Sequence, residues 1–224
     1  MKTGDDSTPI RHPLLPAEPD KGVRQPWPLL LVVDVEGNGA IQPELVEVAI
    51  IPIADGVLHP EHRREWLIRP SARIPDHIVR IHGITNESLA GKPVWPEVAD
   101  DIQEALKGAW IVAHNASVEY NALTRLLPGW QPAGVIDTLR LARKTYPEAG
   151  KHGLDPLIEH LRLPVAGIPG QRHRAGYDAH ATGLLLLDLA AHYDTWDELT
   201  AIAVPDNMPG RRSAPPAYQE EPLW

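Results

Sequence analysis

The chain contains no cysteine. Disulfides and thiolate metal sites are therefore excluded, and any metal must be held by Asp, Glu, His or backbone oxygen. Long apolar runs are missing too: no stretch approaches the ~20 residues of a membrane span, and the N-terminus has no apolar core of the signal-peptide kind. A soluble, cytoplasmic protein is the expectation. Basic side chains are in short supply, 21 Lys and Arg against 30 Asp and Glu, for a net charge of −9. Such a chain does not gather nucleic acid by bulk charge alone. A negative core is tolerable where metals neutralise its acids and only a few nucleotides are held at once.

What is present suffices for one substantial domain, since 224 residues with 43% hydrophobic content leave little for a second. Residues 1–27, with Pro9, Pro13, Pro16, Pro19 and Pro26 amid mixed charge, read as a flexible arm, and 204–224 read as a flexible tail. Between them, 28–203 form the domain. Leu29–Val35, Leu45–Ala54 and Glu65–Arg69 are predicted as three strands of an antiparallel meander, with Asn38-Gly39 and Asp55-Gly56 as turns. A helix from Pro96 to Lys107, a strand Ala109–Ala113, a helix Asn115–Leu127 and a strand Gly134–Ile136 follow. Asp137 or Thr138 is suited to cap a basic helix reaching Thr145, and helices are predicted over Leu154–Leu161 and Gly176–His192. The fold class is α/β: a mixed sheet, three antiparallel strands then parallel crossovers, layered with helices.

The apolar run Leu29–Val33 empties into Asp34-Val35-Glu36. Alternate side chains of a strand share a face, so both carboxylates project the same way from an element that reads as buried. Buried like charges raise each other's pKa unless cations sit between them, and a pair of hard divalent metals supplies cations that also do chemistry. The plain alternative is a strand that ends at the surface with two solvated acids. Two further segments bear on the choice. His114-Asn115-Ala116-Ser117-Val118-Glu119 lies where a strand hands over to a helix, at the sheet edge that commonly binds ligand. Glu119 falls on the first helical turn, where an acid also suits the helix dipole. In His173-Arg174-Ala175-Gly176-Tyr177-Asp178, an acid sits on the apolar side of a long helix, which is costly without a partner. Of the other histidines, His12, His59, His62, His152 and His192 have no such context, and His180 points away from Asp178.

In order, Asp34-x-Glu36, His114-Asn115-Ala116-x-x-Glu119 and His173-x4-Asp178 resemble the DEDDh branch of the DnaQ-like 3′-to-5′ exonuclease superfamily, over roughly residues 29–192. Arg80-Ile81-His82-Gly83-Ile84-Thr85 and Ile136-Asp137-Thr138-Leu139-Arg140-Leu141-Ala142-Arg143 stand between the motifs where that family has similar stretches. The resemblance implies a ribonuclease H-like fold. It implies that Asp34, Glu36, Glu119 and Asp178 hold two Mg²⁺ or Mn²⁺ ions, with His173 as general base taking a proton from the attacking water. The product would be a nucleoside 5′-monophosphate from the 3′ end.

Two departures from the family's pattern stand out. Glu119 occupies a position that is normally Asp, and Gly37-Asn38-Gly39 follows Glu36 where many relatives have Thr. Gly37 and Asn38 are then expected to bring backbone N–H groups to a phosphate or terminal sugar, joined by His82, His114 and Asn115. Arg172 and Arg174 flank His173 and are expected to touch phosphates; Arg140, Arg143 and Lys144 share a helix face that is either a second phosphate contact or simply solvated. Trp110 and Tyr177 read as packing residues.

The expected substrate is a single-stranded or frayed DNA 3′ end, because Asp137-Thr138-Leu139 is more like the proofreading and repair branches than the oligoribonucleases. RNA ends are the rival, and a third reading keeps the fold as a non-catalytic binding or subunit module. The ending Gln219-Glu220-Glu221-Pro222-Leu223-Trp224 is faintly like sliding-clamp peptides, so a polymerase or clamp is the partner to consider besides nucleic acid.

Overall fold

Leu30–Val33, the apolar run before the acids, is fully buried in the centre of the sheet. In the computed structural model, which describes residues 27–211, this run opens β1 (Leu30–Gly37). That strand pairs antiparallel with β2 (Leu45–Ala54) and parallel with β5 (Trp110–Ala113), which pairs parallel with β6 (Gly134–Asp137). The short β3 (Val57–Leu58) and β4 (Arg64–Leu67) share the outer edge of β2, giving the order β3-β2-β1-β5-β6 with β4 beside β2.

The predicted third strand, Glu65–Arg69, is β4, which starts and ends earlier, and the two-residue β3 precedes it outside the predicted ranges. A single 3₁₀ turn, Pro60–His62, separates them. Pro60 lacks the N–H that a continuous ladder would need, which is why the edge breaks there.

Side chains of β1 alternate between two layers. Leu30 and Val32 join Ala49, Ile51 and Ile53 of β2 under α5 (Thr138–Thr145), α6 (Leu154–Leu161) and α7 (Ala175–Ala190). Leu31 and Val33 join Val48 and Ile50 under α3 (Trp95–Ala105) and α4 (Ser117–Leu126). By the same alternation Asp34 and Glu36 emerge on the α7 face. Three further helices lay outside the sequence-based expectation: α1 (Asp76–His82), α2 (Asn86–Leu89) and α8 (Trp196–Ala203). The first two are short and pack little apolar surface of their own. The last has a capping signal in its sequence, Thr195 three residues before Glu198, and the Thr195 hydroxyl accepts from the Glu198 N–H at 3.1 Å.

Residues 204–211, expected as part of a flexible tail, pack against the domain. Val204 is fully buried, the Pro209 carbonyl accepts from the Val135 N–H at 3.0 Å, and Arg211 Nη1 donates to the carbonyls of Ala201 and Val204. Gly210 and Gly134 lie against the Trp110 ring, which stacks edge-on to Trp196, so Trp110 is a packing residue as read. The rest of the tail, including Gln219–Trp224, and the arm through residue 26 lie outside the described residues. Among those described, no helix is long and apolar enough to cross a membrane.

Candidate active site

Asp34 and Glu36 leave β1 at the edge where the parallel strands end, and Asp178 of α7 meets them there. Ligand oxygens of the three all lie within 4.8 Å of one another. Burial, then the neighbouring charges of Glu119, Asp178, Glu36 and Glu47, hold the Asp34 carboxyl well above the usual carboxylate range. Burial followed by Asp178 and Glu47 pushes Glu36 up to about 8, against a smaller lowering by Arg174. Asp178 rises to about 6, again through burial, with His173 opposing. Crowded acids that resist ionisation mark a place that favours added positive charge.

Glu119 approaches from α4 and is outside this triad, although its charge is the largest neighbouring influence on Asp34. It is 5% exposed, its Oε2 has no hydrogen-bond partner, and burial with Asp137 and Glu36 nearby raises it to about 8. A buried carboxylate oxygen without a donor is rare in folded proteins. The turn that delivers Glu119 is held by Asp137: its Oδ1 caps α5 through the Leu139 and Arg140 N–H groups and also accepts from the Asn115 N–H at 3.2 Å. Asn115 takes φ 72°, a left-handed conformation that Asn tolerates better than most residues.

The third segment forms the entry to α7. His173 is exposed and also left-handed, at φ 61°, and its N–H donates to Asp178 Oδ2 at 3.0 Å. Glu47 of β2, missed in the sequence, is Glu36's cross-strand partner and 2% exposed. It takes both Arg174 donors and the Ala175 N–H. A buried acid in the otherwise apolar pattern of β2 was the one available signal.

Several residues expected at the substrate have partners within the protein. Arg174 is paired with Glu47, and the exposed Arg172 places its Nε 2.7 Å from Asp155. His114 uses both ring nitrogens, on the Thr138 hydroxyl at 3.0 Å and the His152 carbonyl at 2.9 Å. Burial lowers its pKa, which suits a neutral ring tying β5 to α5. Asn38 is 3% exposed; its Oδ1 accepts from the N–H groups of Ala40 and Glu44, and its Nδ2 donates to Glu44. It closes the loop after β1. Gly37 sits at a register shift, where a Cβ would press on the Pro43 ring. His82 is 1% exposed and accepts from the Ile84 N–H at Nδ1, while its Nε2 makes no hydrogen bond of normal geometry. Arg140 donates to the Ile202 carbonyl, leaving Arg143 and Lys144 exposed on that helix. Sequence spacing placed these side chains near the site; it does not reveal that neighbours already satisfy them.

The donors at the triad are all hard oxygens, with the unpartnered Glu119 oxygen beside them, and they fit a hard divalent cation. A second grouping, His59, Glu61 and His62, lies on the exposed turn before β4, where the 2.9 Å contact between His59 Nδ1 and Glu61 accounts for its closeness.

Comparison with known proteins agrees with this geometry. Residues 31–186 match the model of the RNase T exonuclease family. Exodeoxyribonuclease 10 of Escherichia coli K12 is 34% identical over 163 residues, covering 72% of this chain and 68% of that protein. The PolC-type DNA polymerase III of Halalkalibacterium halodurans is 31% identical over 218 residues, but these span only 14% of the polymerase. Among solved structures, exonuclease X in complex with 5′-overhanging duplex DNA superposes with a TM-score of 0.65 at 32% identity, over 78% of this chain and 97% of that one. The nuclease domain of 3′hExo, a DEDDh family member, superposes equally well at 13% identity and so speaks for the fold alone. The chain belongs to the DnaQ-like, DEDDh exonuclease family and has its ribonuclease H-like fold.

Proposed function

We propose that the protein is a divalent-metal-dependent 3′-to-5′ exonuclease that releases nucleoside 5′-monophosphates from single-stranded or frayed DNA ends. The observation that carries this is the meeting of Asp34, Glu36 and Asp178 within 4.8 Å beside an exposed His173. DNA is preferred over RNA because the relatives at 30% identity or more are named as acting on DNA, one of them solved on a duplex.

Asp34, Glu36 and Asp178 would hold the cations, with Glu119 supplying a fourth carboxylate once its side chain turns toward them. Two such ions, when bound, would stabilise the negative charge that builds on the attacked phosphate and on the departing 3′ oxygen. An imidazole nitrogen of His173 takes the proton from the attacking water, and its exposure lets it pass that proton to solvent. Asp178 accepts from the His173 N–H, so the residue that helps hold positive charge also fixes the backbone of the base. The exposed Arg143 and Lys144 would meet the phosphates of the incoming strand.

A substrate pair tests the choice of nucleic acid. Deoxyribose oligonucleotides are expected to be degraded faster than ribose oligonucleotides of the same sequence, and a preference for short RNA would reverse the assignment.

A further inference from the structure

Glu47 faces Glu36 across the β1–β2 ladder, yet it is not one of the converging carboxylates. Its neighbours on that face of β2, Ala49, Ile51 and Ile53, are apolar core residues, so the sheet has no need of an acid there. Both of its oxygens are taken by the entry to α7. Oε1 accepts from Arg174 Nε at 3.1 Å and Nη2 at 2.5 Å; Oε2 accepts from Arg174 Nε at 3.0 Å and from the Ala175 N–H at 2.8 Å. One buried carboxylate thus closes the first turn of α7 and grips the residue next to His173.

His173 needs such a grip. A left-handed conformation in a non-glycine residue persists only where its surroundings impose it. On one side the surroundings are the Asp178 carboxylate, on the other Arg174. Gly176 completes the seat, since a Cβ there would collide with the Glu65 carboxylate of β4, and its absence lets the first turn lie close against the sheet.

We propose that Glu47 is a positioning residue: by clamping Arg174 and the Ala175 N–H it sets the loop that presents His173, and the turn that presents Asp178, to Asp34 and Glu36. This rests on the reading of His173 as the general base.

The test compares wild type, Glu47→Gln, Arg174→Lys and the double variant Glu47→Gln/Arg174→Gln. Steady-state release of mononucleotides from a single-stranded deoxyoligonucleotide is measured in saturating Mn²⁺, alongside amide NMR spectra. A displacement of about 1 Å at a reacting group costs on the order of 10²-fold. Each single variant is expected to lose about that factor in kcat with KM within about twofold of wild type, and the double variant to lose no more than the worse single one. Glu47→Gln leaves the half-buried Arg174 guanidinium without its carboxylate; if it does not fold, the double variant, which removes that charge as well, carries the test. Wild-type kcat in a folded variant, a rise in KM at unchanged kcat, or multiplying losses would overturn the proposal. If the wild type releases no nucleotide, the nuclease reading fails instead. The clamp is then judged by the spectra alone: shifts confined to residues 173–178 support it, and an unchanged spectrum there overturns it.

Discussion

Three acids and a histidine carry the account at the scale of single residues. Removing Asp34, the carboxylate most surrounded by the others, is expected to lower turnover by at least the 10²–10³-fold typical of losing one group that stabilises transition-state charge, with little change in melting temperature. Thermal melts of Asp34→Asn beside the activity assay check both halves. His173→Ala should cost about 10²–10⁴-fold in kcat while leaving the fold intact, because the side chain is exposed. Glu119 stands apart from them: it lies outside the triad and carries an unpartnered oxygen. The shorter Glu119→Asp is expected to keep activity and to weaken or tighten the response to Mn²⁺ concentration by several-fold, whereas Glu119→Ala should lower kcat. Equal activity of the alanine variant would remove Glu119 from the site.

At the scale of elements, what the strands and helices do is to bring residues 34, 119 and 178 to one sheet edge. Trp110 opens β5 at the opposite end of the sheet, level with Leu30 and Gly134, and shows how tightly that end is packed: a methyl group at Gly134 would run into its ring. Gly134→Ala should therefore destabilise by about 1–3 kcal/mol through overpacking. Calorimetry would show this as a drop of several degrees in melting temperature, at unchanged kcat for the folded fraction. Much of this arrangement was legible in the sequence. The run into Asp34-x-Glu36 announced both a buried strand and a reactive end, and the spacing His173-x4-Asp178 put an acid where only a partner makes it tolerable. The unread parts have physical causes. β3 is only two residues long, α1 and α2 are too short to show a period, and the partners of Arg174, Arg172 and His114 come from residues 127, 17 and 38 positions away in sequence. The intramolecular partners of side chains that stand beside a motif are therefore not legible from the motif itself.

For the whole molecule, the burial of like charges links stability to pH and to metal. A carboxylate whose folded pKa stands above its unfolded value binds more protons when folded, so stability falls as pH rises between the two values. For Asp178 that window runs from about 3.9 to about 6, and for Glu36 and Glu119 from about 4.3 to about 8. The metal-free protein should consequently melt at a lower temperature at pH 8 than at pH 6. Binding of a divalent cation to the ionised carboxylates offsets the loss. Melting curves with and without Mg²⁺ are expected to show the larger gain at pH 8; a gain that is equal or larger at pH 6 would mean the crowded acids are not where the ion binds. The central claim is tested most directly by one gel. A single-stranded deoxyoligonucleotide labelled at its 5′ end, and the same strand labelled at its 3′ end, are incubated with the protein, with and without Mg²⁺. With Mg²⁺ the 5′-labelled strand should shorten as a ladder while the 3′-labelled strand yields a labelled mononucleotide from the first time point, and a chelator or Asp34→Asn should stop both. Internal cleavage, mononucleotides released first from the 5′ label, or no release in Mg²⁺ or Mn²⁺ would contradict the account.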